Sequence, residues 1–279
     1  TVESNQERGI AVNIFKKNVK IEDANRVLYA DLAKQIPDSN KVILTGNVQM
    51  YEENSSLKCN SLIIRNEDES YHAEGNVIFK DSLRTAYSDS LSIEYKNNSI
   101  SKLSLKSNAR VYIDQYLKLK NQNETKFFQD KIEASNILVE FDNNKKIDFI
   151  TLSEMASTNF SVVRDSILKG INQVSGDTIS ISFSNNKINQ MYVKGGAIGE
   201  FIPDKENKDV PNIVLYKASR INYKLDKEIT LLTDNAEIIY GNTILNGGEI
   251  EVNLNLSLVE SKVKDSIFPS VSSREGSPT

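Results

Sequence analysis

Residues 42–64, VILTGNVQMYEENSSLKCNSLII, and residues 71–95, YHAEGNVIFKDSLRTAYSDSLSIEY, decide the fold. In the first stretch Val42, Leu44, Gly46, Val48 and Met50 share one parity; in the second Ala73, Gly75, Val77 and Phe79 do. Side chains of a β-strand point alternately to opposite faces, so this spacing predicts strands with one buried face and one wet face. Both stretches carry Gly-Asn-Val, with Asn47 and Asn76 29 residues apart, and Lys17-Asn18-Val19 stands the same interval earlier. A fixed interval marks a structural repeat. Looser versions are Ser107-Asn108-Ala109 and Asp234-Asn235-Ala236.

The same alternation recurs along the chain, in Ala109, Val111 and Ile113, in Ile137, Val139 and Phe141, in Ile179, Ile181 and Phe183, and in Ile250, Val252, Leu254, Leu256 and Leu258. Four strands end on an aromatic residue, Tyr95, Phe141, Phe183 and Tyr223, and a polar turn follows each: Lys96-Asn97-Asn98, Asp142-Asn143-Asn144, Ser184-Asn185-Asn186 and Lys224-Leu225-Asp226. Asn and Asp tolerate left-handed backbone and close tight hairpins, which join antiparallel strands and not parallel ones. An isoleucine opens each returning strand (Ile100, Ile147, Ile188, Ile229), with an apolar residue three positions on (Leu103, Ile150, Met191, Leu232). That odd step inside an even pattern predicts a bulge. The unit of hairpin, turn and small-Asn-apolar strand runs from about residue 10 to residue 258 without a linker.

An all-β chain of stacked antiparallel hairpins follows, read as one elongated domain over residues 1–264, degenerate before residue 40. Residues 265–279, rich in Ser and Pro, read as a disordered tail or linker. Residues 202–212 look like a surface insertion, and residues 22–35 (EDANRVLYADLAKQ) are the one candidate helix. The glycines of Lys194-Gly195-Gly196-Ala197 precede no helix, so a bulge or a tight strand crossing fits them better than a phosphate loop.

Composition narrows the function classes. The chain has 279 residues, 39% hydrophobic and 26% charged, with net charge −4, and its basic residues are interspersed among the acidic ones. Nucleic-acid binding needs clustered Lys and Arg and is not expected. Cys59 is the only cysteine, so no internal disulfide forms. His72 is the only histidine and sits on the parity opposite Ala73, which predicts a solvated strand residue; no partner phrase supports a catalytic triad, and no His or Cys cluster suggests zinc or another cofactor. No apolar run reaches membrane-span length and TVESNQERG has no signal-peptide core, which fits a cytoplasmic chain or a mature exported one. No enzyme activity is expected.

The two opening stretches together resemble the OstA-like family, the periplasmic lipopolysaccharide-transport family that includes LptA, LptC and the N-terminal domain of LptD. Gly46-Asn47-Val48 and Gly75-Asn76-Val77 resemble its strand-ending phrase, and the run from Thr85 to Tyr95 its small-polar-apolar strand. The resemblance is strongest over residues 42–113 and degenerate over 130–258. It implies a twisted β-jellyroll of two curved sheets around an apolar cleft, a periplasmic and outer-membrane-associated location, and passage of lipopolysaccharide along the cleft. The same-parity residues then become candidates for the lipid-facing lining: Val48 and Met50; Leu62 and Ile64; Val77 and Phe79; Leu91 and Ile93; Val111 and Ile113; Ile137 and Val139; Ile179 and Ile181; Ile221 and Tyr223; Ile238; and Val252. Open sheet edges imply strand addition to other jellyrolls or to an outer-membrane translocon, and head-to-tail self-association. Two other readings stand beside it: a structural or adhesive scaffold with a dry core, and a carbohydrate-active β-helix. The tight antiparallel turns weigh against parallel-coil versions of both.

Overall fold

The computed structural model describes residues 2–7, 10–22, 26–52, 54–67, 69–96, 99–120, 125–144, 146–164, 166–184, 187–225, 227–253 and 258–273. Asn97, Asn98, Asn185, Asn186, Asp226, Leu254 and Leu256, and the last residues of the expected tail, lie outside that set. The described residues are almost entirely strand: β1 (Val2–Glu7), β2 (Ile10–Glu22), β3 (Arg26–Ile36), β4 (Lys41–Glu52), β5 (Ser55–Arg65), β6 (Ser70–Lys80), β7 (Arg84–Lys96), β8 (Ser99–Lys118), β9 (Thr125–Phe141), β10 (Ile147–Arg164), β11 (Ile167–Ser184), β12 (Lys187–Pro203), β13 (Val214–Lys224), β14 (Ile229–Tyr240), β15 (Thr243–Asn253), β16 (Leu258–Lys262) and β17 (Ser270–Ser273), with one short 3₁₀ turn, Pro37–Ser39. Consecutive strands pair antiparallel from β1 through β8 and again from β10 through β15, and β16 and β17 both pair with β15. This is the expected all-β, antiparallel jellyroll.

By their contacts the strands form two compact units, Thr1–Ile113 with Ser135–Asp148, and Asp114–Ala134 with Phe149–Thr279. Strands β8, β9 and β10 each give residues to both.

The Gly-Asn-Val phrase has a physical job. Each even-numbered strand from β2 to β14 carries two consecutive residues at positive φ: Lys17-Asn18, Gly46-Asn47, Gly75-Asn76, Ser107-Asn108, Glu154-Met155, Gly195-Gly196 and Asp234-Asn235. The ladders slip at these levels, between Thr45 and Val48, Glu74 and Val77, and Lys194 and Ala197, for example. Two left-handed residues insert one extra residue against the partner strand and turn the strand sharply. The strand pairs from β2–β3 to β7–β8 and from β10–β11 to β14–β15 thus have two limbs. In the first unit one limb holds residues 41–45, 61–65, 70–74 and 90–96, and the other holds 26–29, 49–52, 55–58, 77–80 and 84–87.

Burial follows the bend. The residue after each left-handed pair is small and buried: Val19, Val48, Val77, Ala109, Ala156, Ala197 and Ala236. Small buried residues face them from the intervening strands, among them Ala30, Cys59, Ser88 and Ala218. A large side chain has no room in the angle where two limbs diverge. Away from the angle the inward residues are larger: Leu44, Leu62 and Leu91 on one limb of the first unit, Leu28, Met50 and Leu57 on the other, and Leu152, Ile179, Val193 and Ile221 in the second unit.

Three expectations change. The candidate helix at 22–35 is strand where described, its residues 26–35 lying in β3. The reason lies in the bend: because the partner strand carries the extra residue, the buried face of β3 steps from Leu28 and Ala30 to Ala33, and that step of three imitates helical spacing. Leu258 does not continue the strand of Ile250 and Val252; it opens β16, which pairs back on β15. The odd step after each hairpin is a bulge between Glu94 and Tyr95 in the β7–β8 ladder and between Ser182 and Phe183 in the β11–β12 ladder, but the β13–β14 ladder is regular there, with Tyr223 opposite Thr230 and Lys224 opposite Ile229. In the expected tail, Ser270–Ser273 pairs with Asn246–Thr243 of β15. The insertion at 202–212 is anchored: Asn207 is buried and donates to the Lys169 carbonyl at 2.8 Å.

Candidate functional site

The feature of interest is the interior between the limbs of each unit. Most candidate lining residues are buried there: Val48, Met50, Leu62, Ile64, Val77, Leu91, Ile93, Ile137, Ile179, Ile181, Ile221 and Tyr223. Phe79, Val111, Ile113, Val139, Ile238 and Val252 are half-buried. Three of the half-buried set lie close together, because Phe79 pairs with Ala86, Ala86 with Val111, and Ile113 with Arg84. The candidates are thus buried at twelve positions and half-buried at six.

Polar groups gather at the lip, where the free ends of the limbs meet. In the first unit Arg26 and Glu52 end one limb, and Tyr71 and Tyr95 end the other. Arg26 donates from Nη1 to the Tyr71 hydroxyl, and its guanidinium also lies 5.4 Å from the centre of the Tyr71 ring. The Tyr71 and Tyr95 rings are 5.1 Å apart. Burial, then the nearby Glu52 carboxylate, push the Tyr95 hydroxyl far above the usual phenol range. The second unit repeats the arrangement with other residues. Tyr223 donates to the Tyr216 hydroxyl at 2.9 Å, and Tyr216 to Asn172 Oδ1 at 2.5 Å. Burial pushes the Tyr216 hydroxyl up to about 12. Tyr216 stands two residues from Ala218 at the bend, whereas Arg164, the last residue of β10, and Glu228, just before β14, form an ion pair at 2.9 Å at the strand ends.

One carboxylate sits inside. Asp130, on β9, is 3% exposed. It accepts from the Ser161 amide at 2.8 Å and from the Gln115 side chain. Burial raises its pKa, and those hydrogen bonds offset part of the shift.

His72 lies on the outer face, with Nδ1 2.8 Å from Ser92 Oγ and Nε2 2.8 Å from Glu74 Oε1. Ser92, its partner across the β6–β7 ladder, and Glu74, two residues on along β6, thus hold the imidazole from both sides on the wet face. Cys59 is buried at the bend and its thiol is pushed up to about 11 by desolvation. Among the described residues no group of three or more His, Cys, Asp and Glu side chains is placed to hold a metal ion. No helix there is long and apolar enough to cross a membrane.

Sequence reasoning missed the lip residues, because Arg26, Tyr71 and Tyr216 carry no phrase of their own; the only available signal was their inward parity at a strand end. It also missed Glu154-Met155 as a bend, since neither residue favours left-handed backbone.

No protein-family model matches this chain, and no curated protein sequence matches it. A solved structure is similar: LptH from Pseudomonas aeruginosa, described as the LptA homologous periplasmic component of the conserved lipopolysaccharide transport device. The similarity covers 53% of this chain and 95% of LptH, at 14% identity and a TM-score of 0.40. The fold assignment rests on the register, the bends and the burial described above.

Proposed function

We propose that the chain is a lipid-carrying module whose limbs shield acyl chains, with lipopolysaccharide or a similar multi-chain amphiphile as cargo and the periplasm as its place of work. One observation carries this reading: apart from Ser88, Asp130 and Thr158, the buried residues of the strands are apolar. Exposed acyl carbon costs about 0.8 kcal/mol per CH₂ in water, so a chain of roughly a dozen carbons needs an apolar path throughout its transfer. A bent antiparallel ladder supplies one, and each added strand pair lengthens it. Transfer along such a path needs no catalytic group. Terminal strands would add to a further jellyroll or to an outer-membrane translocon by backbone pairing, or to a second copy head to tail.

The test is p-benzoylphenylalanine in place of Phe79, which is half-buried, against the same residue in place of Tyr87, which is 40% exposed on the outer face. Irradiation in cells should give lipid adducts at position 79 and none at 87. Equal labelling, or none at either, removes the carrier reading. A second reading, a scaffold with a dry core, is favoured by the complete burial of Leu62, Ile179, Ile181 and Ile221 by the protein's own atoms. It expects no adduct at position 79.

A further inference from the structure

We propose that the lip is the gate of the interior, and that the Arg26–Tyr71 tie in the first unit and the Tyr216–Tyr223 and Arg164–Glu228 ties in the second are latches that hold the limbs shut. The inference rests on the carrier reading for its purpose but on geometry for its substance. The limbs of one unit are covalently and sheet-wise continuous only at the angle, where the left-handed pairs stand. Their far ends belong to different hairpins, so what holds them together is side chains. In the first unit Arg26 and Tyr71 are 45 residues apart in sequence and lie on opposite limbs, yet they are hydrogen-bonded. In the second unit Tyr216 and Tyr223 stand on opposite sides of the bend of one strand, and their hydroxyls meet across the interior. Arg164 and Glu228 do the same with charge.

These ties have the chemistry of a latch. Behind the Arg26–Tyr71 tie the inward residues Ala73, Leu91 and Ile93 are buried and apolar. Water reaches the Arg164–Glu228 pair and the part-buried Arg26–Tyr71 bond, so these two ties can be exchanged for hydration at modest cost, whereas Tyr223 is buried and the Tyr216–Tyr223 bond is the tighter one. Opening the lip exposes the half-buried row of Phe79, Val111 and Ile113 first, and leaves the angle, with its small packed residues, unchanged. The bend therefore acts as hinge and the tyrosine-arginine ties as clasp. The two units carry separate clasps, so each opens on its own.

The test uses the full chain with Cys59→Ser, because Ser88 occupies the equivalent buried place at the next bend and bonds the Ser90 carbonyl at 2.8 Å. Spin labels at Lys80→Cys and Glu94→Cys report the two limb ends of the first unit, and labels at Ser184→Cys and Leu215→Cys report those of the second. With Arg26→Gln and Tyr71→Phe together, pulsed dipolar spectroscopy should show a longer-distance population for the first label pair and an unchanged distribution for the second. The unchanged second pair shows that the second unit is folded, and a cooperative thermal melt by far-ultraviolet circular dichroism checks the first; Tyr95→Phe is the milder variant should the double change unfold the first unit. Entry of cis-parinaric acid should quicken on the order of tenfold in the unlatched protein, the rate equivalent of one charge-assisted hydrogen bond. A bismaleimide bridge between the thiols introduced by Lys80→Cys and Glu94→Cys should stop entry into the first unit. An unchanged distance distribution in the unlatched variant, or unslowed entry into the bridged protein, overturns the latch. Should the probe enter no variant at all while the distances still shift, the carrier reading fails and the latch stands.

Discussion

Replacing Gly46 by alanine tests the role assigned to the bends. Gly46 has φ of +78°, and a Cβ built on it lies 2.4 Å from Asp31 Oδ2. Left-handed backbone costs an L-residue about 1–2 kcal/mol. The methyl group also displaces the Asp31 carboxylate, which accepts from Asn47 Nδ2 at 2.8 Å, and an exposed bond of that kind contributes roughly 0.5–1.5 kcal/mol. The expected loss is thus about 1.5–3.5 kcal/mol. Adding Asp31→Ala removes the collision but not the backbone strain, so the double variant should recover nothing beyond the clash and remain about 1–2 kcal/mol below the Asp31→Ala parent. The complementary change, Glu154→Gly, relieves a left-handed non-glycine residue at φ of +64° and should stabilise by up to about 1 kcal/mol. Urea unfolding followed by far-ultraviolet circular dichroism and tyrosine emission reads both, since the chain has 11 tyrosines and no tryptophan. A Gly46→Ala protein within about 0.5 kcal/mol of wild type, or a Glu154→Gly protein that is clearly less stable, refutes the account of the bends.

Two further outcomes are expected. Asp130→Asn removes a carboxyl whose pKa burial raises in the folded protein, so the contribution of Asp130 to stability is fullest below the unfolded carboxyl range and is lost as pH rises through the raised folded value. Wild type should therefore lose stability relative to Asp130→Asn as pH rises above the unfolded carboxyl value of about 3.9, and denaturation midpoints that run parallel on that rising side contradict it. Leu152→Ala, at a site with 0% exposure, should cost about 2–5 kcal/mol, whereas Val252→Ala at a half-buried strand end should cost far less; equal losses in thermal melts show that the inward face is uniformly packed.

How much of this was legible depended on whether one residue could carry the signal. Alternation marked the strands, because period two follows from strand geometry alone. The repeat of Gly-Asn-Val marked the bends wherever glycine or asparagine supplied the left-handed backbone. It failed at Glu154-Met155, where the neighbouring ladders impose a conformation that the residues do not favour. It misled at residues 26–35, where the register slip converts a step of two into a step of three. The lining candidates are buried or half-buried, since alternation along a strand already separates the covered face from the wet one. The lip was invisible, because Arg26 and Tyr71 meet through the closing of a bend and no local pattern encodes which strand ends come together. Asp130 was equally silent: a buried carboxylate held by Ser161 and Gln115 looks, in sequence, like any other acidic residue of a polar strand.

The spacing of the bends has a consequence for how this chain changes length. Excising residues 47–75, 29 residues in all, joins Gly46 directly to Asn76 and regenerates Gly-Asn-Val. The hybrid strand would keep the pairing half of β4 on one side of the corner and that of β6 on the other, between β3 and β7. Losing a whole storey should therefore disturb the molecule less than losing a single amino acid within one, and insertions and deletions in its lineage should be quantised accordingly.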